Sequence, residues 1–154
     1  MRIFILEDDP RVRSIADELR KKGHIVDFTP TLPGMYWYLN EEPGIQAYEA
    51  ILLDLTVPGV ELEIPGGEKL SYNAPMGLNG LQFFLDKYES LFKPHERKIA
   101  FFSAYLPSAA RIAEDQKKLD IFNSIKKLNK NDDDIVSQLL NWLDELSKNS
   151  PEVG

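Results

Sequence analysis

The segment Ala50–Leu55 is apolar at every position except Asp54. Its length and apolar content suit a buried strand, so the Asp54 backbone is expected inside a sheet and its carboxylate at the strand's end. The flanking chain alternates between strand-like and helix-like patterns, which calls for a parallel sheet covered by helices on both faces.

Arg2–Leu6 is a second short apolar run, with β-branched content. Asp9 follows as a helix N-cap with Pro10 at the first helical position. Val12, Ile15, Ala16 and Leu19 then recur at helical spacing, and Gly23 is placed to end the helix. A strand is predicted at His24–Phe28 and a short helix around Gly34–Asn40. Further on come a helix over 78–92, a strand at Lys98–Phe102, a helix near 108–118 and a weak strand at Phe122–Lys127. A last helix begins near Asn131 or Asp132, with Ile135, Leu139, Trp142, Leu143 and Leu146 as its apolar stripe and acidic residues suiting its N-terminal dipole. The stretch between Pro58 and Asn79 breaks this alternation. Glu61–Ile64 and Lys69–Tyr72 alternate polar with apolar around Pro65, Gly66 and Gly67, which predicts an inserted hairpin.

The 154 residues suit one domain over 1–148 with a tail at 149–154, and 43% apolar content suffices for a core. A net charge of −7, with basic residues dispersed among acids, argues against direct nucleic-acid binding. No apolar run spans a bilayer, and MRIFILEDDP is not a signal peptide. The absence of cysteine excludes disulfides and thiolate metal sites. A cytoplasmic location is expected.

Ligands in open α/β sheets bind beyond the carboxyl ends of the strands. Glu7, Asp8 and Asp9 end the first strand, Asp54 the third and Ser103 the fourth, while Lys126 and Lys127 are expected to end the fifth. Crowded carboxylates repel one another, and a hard cation such as Mg²⁺ relieves that repulsion. Acids, a hydroxyl and an ammonium at one sheet edge suit phosphoryl transfer to a carboxylate. Singly these residues mean little: an acidic run after a strand is often only a helix cap.

In order and spacing, ILEDDP, ILLDLTVPG, NGLQFF and IAFFSAY resemble the receiver domains of two-component signalling over nearly the whole chain. The resemblance implies a doubly wound, flavodoxin-like fold with Asp54 as phosphoacceptor. Glu7, Asp8, Asp54 and the Thr56 backbone carbonyl would hold Mg²⁺, Ser103 would be the switch hydroxyl and Lys127 the lysine that contacts the phosphoryl group. It further implies a signalling domain rather than an enzyme, served by a histidine kinase or phosphotransfer protein and read by a downstream protein partner or a change of oligomeric state such as a homodimer.

Three departures stand out. Leu128, not proline, follows Lys127, so that bond is expected to be trans, cis costing about 2.5–4 kcal/mol. Ser124 occupies the position where the family often has an aromatic residue three before its lysine, with Phe122 a candidate to stand in. The 60–78 insertion lies close to Asp54. Together they leave a pseudo-receiver, a binding module that is never phosphorylated, as the alternative. A haloacid-dehalogenase-type phosphatase would need a second acid where Thr56 stands, and no G-x-G-x-x-G follows the first strand for a dinucleotide. His24 and His95 suggest no catalytic or metal role.

Overall fold

The computed structural model describes residues 1–63, 69–74, 77–104 and 116–149. The strands among them are β1 (Arg2–Leu6), β2 (Ile25–Thr29), β3 (Ala50–Leu53), β4 (Val60–Glu63), β5 (Lys69–Tyr72), β6 (Ile99–Ser103) and β7 (Lys126–Asn129). The helices are α1 (Val12–Lys21), α2 (Leu32–Tyr36), α3 (Asn79–Asp86), α4 (Gln116–Ser124) and α5 (Ile135–Asn149), with π-helical turns at Trp37–Glu41 and Tyr88–Phe92 after α2 and α3. Among these residues no helix is long and apolar enough to cross a membrane.

Five strands make one sheet in the order β2-β1-β3-β6-β7, with every neighbouring pair parallel. Successive side chains of a strand point to opposite faces, so each central strand feeds two cores. Phe4, Leu6, Ile51, Leu53 and Phe101 pack with Met35 of α2, Phe84 of α3 and Phe122 of α4. Ile3, Ile5, Leu52, Phe102 and Leu128 pack with Leu19 of α1 and Leu143 of α5. The α/β doubly wound fold expected from the alternation is therefore the fold observed. Strand order reverses at β1 and β3, which opens a crevice at their carboxyl ends.

Helix α1 ends as read, at Gly23, whose φ of 92° is open to glycine at little cost. Its start differs slightly: Asp9 Oδ1 accepts the Arg11 N–H at 2.9 Å, and the helix proper opens at Val12. The excursion after β3 carries the expected antiparallel pair, β4 with β5, running from Val60↔Tyr72 to Glu63↔Lys69. The turn between them, at 64–68, lies outside the described residues, as do 105–115, which hold most of the helix expected near 108–118.

The end of the chain needs correction. The strand expected at Phe122–Lys127 is β7, which begins four residues later and ends two later, and Phe122 belongs to α4. Tertiary contacts make the difference. Phe122 stacks on Phe101 at 5.4 Å between ring centroids, and the Lys127 ammonium donates to the carbonyl oxygens of Phe122 (2.8 Å) and Ile125 (2.7 Å) at the helix's end. Register with β6 runs from Ala100↔Lys126 to Ser103↔Asn129, which buries Leu128 against the second core. The trans Lys127–Leu128 bond thus lies inside a strand rather than in a loop.

Candidate functional site

Glu7 and Asp54 are the first residues past β1 and β3, and both are almost wholly buried, at 0% and 1% exposure. The sheet carries both to this depth. The Asp54 N–H donates to the Leu6 carbonyl at 3.0 Å, so pairing of the two strands continues to the acids themselves. Glu7 Oε1 accepts the backbone N–H groups of Asp8 (3.0 Å) and Asp9 (2.9 Å). Asp54 Oδ1 accepts the Thr56 N–H at 3.1 Å and the Thr56 hydroxyl at 3.2 Å. Asp8 is exposed at the rim. Glu7, Asp8 and Asp54 can each offer an oxygen within 4.8 Å of the other two.

Close approach of α3 completes the floor. A Cβ on Gly80 would lie 2.2 Å from the Asp54 carbonyl oxygen, so this position admits only glycine without a shift of backbone. The cleft above the acids has a volume of about 620 Å³, and its lining includes Asp8, Asp54, Thr56, Ala104, Lys130 and Asn131.

The lysine in this cleft is Lys130. Its Nζ lies 2.6 Å from Glu7 Oε2 and 3.2 Å from Asp54 Oδ2, with the side chain only 10% exposed. Lys127, expected here, is instead tied to the end of α4, with its Nζ 4.7 Å from the centroid of the Phe122 ring. The correction follows from the strand's true position: Lys130, not Lys127, stands just past β7. The Lys130 N–H donates to the Ser103 carbonyl at 3.3 Å, which fixes its backbone to the end of β6. Ser103 itself is fully buried at that strand end. A signal for Lys130 is present in the sequence, because it immediately precedes Asn131 and the acidic run Asp132, Asp133 and Asp134 ahead of the last helix, as Glu7 and Asp8 precede the first. With Lys130 in this place, Asn131 follows the lysine and Lys127 stands three residues before it. Ser124 is engaged elsewhere, its hydroxyl lying within hydrogen-bond reach of the Ile121 carbonyl at 2.7 Å and of Glu96 Oε1 at 3.1 Å.

The acids outnumber the one ammonium among them. Burial, then the neighbouring Asp54 charge, push the Glu7 carboxyl up to about 8, and the hydrogen bond from Lys130 only partly offsets them. Burial pulls the Lys130 ammonium down, but Asp54 and Glu7 outweigh it and hold the group above its ordinary value. The donors are hard oxygens with more negative charge than one ammonium relieves, which is the chemistry a divalent cation such as Mg²⁺ takes up.

No family model and no curated protein matches this sequence. Solved structures do. The receiver domain of a Francisella response regulator superposes with a TM-score of 0.56 at 14% identity, over 97% of this chain and 98% of that one. The chain has the fold of a response-regulator receiver domain. A Thermotoga maritima response regulator, TrrA, solved in complex with Mg²⁺-BeF, matches at TM-score 0.56 and 16% identity over 94% of this chain and 97% of that one. The receiver domain of a Pseudomonas aeruginosa sensor histidine kinase, solved with a magnesium ion coordinated in its active-site cleft, matches at 0.53 and 15% over 94% and 95%. At such identities the likeness to these receivers is one of fold.

Proposed function

We propose that this chain is a phospho-accepting receiver of two-component signalling, with Asp54 as the acceptor. The observation that carries the reading is the meeting of Glu7, Asp8 and Asp54 with the Lys130 ammonium in one cleft at the switch point of a receiver fold. Glu7, Asp8, Asp54 and the Thr56 backbone carbonyl are the groups that would hold Mg²⁺, which when bound neutralises charge on the phosphoryl oxygens. An Asp54 carboxylate oxygen forms the new bond to phosphorus while the bond from phosphorus to the donor breaks, and the donor leaves with the electron pair and takes up a proton. Lys130 holds a phosphoryl oxygen, in the role first expected of Lys127, and the Ser103 hydroxyl donates to another.

The donor in this reading is a histidine kinase or phosphotransfer protein. The product state is passed to a downstream protein through the surface of α4, β7 and α5, by a shift between two conformations.

Intact-mass analysis after incubation with acetyl phosphate tests the proposal, with and without Mg²⁺, on wild type and Asp54→Ala. The expected result is a gain of one phosphoryl group that needs both Mg²⁺ and Asp54. No gain in wild type, either from acetyl phosphate or from a kinase panel, would move the assignment to a pseudo-receiver.

A further inference from the structure

The chain leaves β3 through Leu55, Thr56 and Val57, and α3 binds the carbonyls on either side of Thr56. The Leu55 carbonyl accepts the N–H groups of Gly80 at 3.0 Å and Leu81 at 3.3 Å. The Val57 carbonyl accepts Asn79 Nδ2 at 2.9 Å, and Val57 forms a parallel bridge with Leu78. Asn79 Oδ1 in turn accepts the Ala74 N–H at 2.7 Å, beyond the β4–β5 hairpin. One partner can only donate and the other only accept, so the amide has a single orientation that satisfies both.

Asn79 is 3% exposed and uses both ends of its amide to join the two ends of the hairpin excursion. Burial makes each of these bonds costly to lose without replacement. The Thr56–Val57 peptide lies between two peptide planes that are both held, so its carbonyl has little freedom to turn.

We infer that Asn79 is a positioning residue for the cation site, holding the Val57 carbonyl so that the adjacent Thr56 carbonyl is presented to Mg²⁺. This rests on the functional reading above and adds to it a residue that touches neither the cation nor the phosphoryl group. It also gives the hairpin excursion a role, since the same amide ties cation affinity to the placement of Val57 and Ala74 at its two ends.

The test is Mg²⁺ titration by calorimetry on wild type, Asn79→Ala, Asn79→Ser and Leu146→Ala, with the melting temperature of each. Serine is tolerated at helix starts and cannot span from Val57 to Ala74, so it stands in if the alanine variant does not fold. Leu146 packs in the core on the opposite face of the sheet and serves as the control for lost stability alone. Outer partners of metal ligands typically contribute about tenfold or more to affinity, and a loss of that size is expected in the folded Asn79 variants. Leu146→Ala should bind Mg²⁺ as wild type does, even with an equal drop in melting temperature. Wild-type affinity in the Asn79 variants overturns the inference and leaves the functional reading standing, as does an equal loss in Leu146→Ala. Wild type that binds no Mg²⁺ overturns both.

Discussion

Lys130 Nζ lies 2.6 Å from Glu7 Oε2, although 123 residues separate the two in the chain. The pair is buried, and Asp54 shares the same ammonium at 3.2 Å. Removing one partner of such a group leaves uncompensated charge in a place water barely reaches.

Lys130→Ala should therefore cost about 3 kcal/mol of stability without added cation. It should also slow Asp54 labelling on the order of 100-fold, the scale of one lost charge-stabilising donor. Lys127→Ala removes bonds to the end of α4, costs about 1 kcal/mol, and leaves labelling near the wild-type rate. Denaturant titration and phosphorylation kinetics on the two variants check this. The reverse ranking in labelling would return the role to Lys127.

Glu7 makes stability fall as pH rises. With its carboxyl raised to about 8, the folded chain keeps a proton that the unfolded chain has released, so the folded state loses its advantage between the ordinary carboxylate range and pH 8. The slope from this one group is at most about 1.4 kcal/mol per pH unit. Urea unfolding of wild type and Glu7→Gln across this range should show the difference between them changing with pH, and saturating Mg²⁺ should flatten it. A constant difference would show that Glu7 is ionised throughout.

Gly80→Ala forces a Cβ toward the Asp54 carbonyl oxygen. Strain of this kind costs about 3 kcal/mol, and relief requires α3 to move off the end of β3. The expected outcome is a lower urea midpoint together with slower labelling. Unchanged labelling in a destabilised variant would mean that the acceptor's position does not depend on α3.

Tyr48→Phe separates stability from function. The buried Tyr48 hydroxyl donates to Asp27 Oδ2 at 2.7 Å, on a carboxylate that Arg2 also binds at 3.0 Å. Its loss should cost about 2 kcal/mol, the scale for a hydrogen bond to a charged group. This network touches the sheet near its amino ends, away from the cleft, so labelling by acetyl phosphate should be unaffected once folded protein is matched.

Most of the sheet was legible from local pattern. Ile3–Leu6 and Ala50–Leu53 are continuous apolar runs, and such runs are read directly as central strands. The end of the chain was not legible in this way. In IFNSIKKLNK the apolar residues Ile121, Phe122, Ile125 and Leu128 fit a helix followed by a strand or a strand alone. The hairpin was readable from its alternation and its central Pro and Gly residues, but its attachment through Asn79 was not, because that depends on which backbone groups the fold leaves facing one amide.

Sequence by itself determined that Glu7 and Asp54 stand at the sheet's edge. Glu7 and Asp54 follow directly on apolar runs, and chain continuity puts a residue after a buried strand at that strand's end. The lysine was decided only by tertiary structure. Pairing of β7 with β6 and stacking of Phe122 on Phe101 set where the last strand begins, and a strand displaced by a few residues delivers a different side chain to the cleft. Lys127 and Lys130 are the same chemistry three residues apart, and only the packing around them sends one ammonium to a helix end and the other to Glu7 and Asp54.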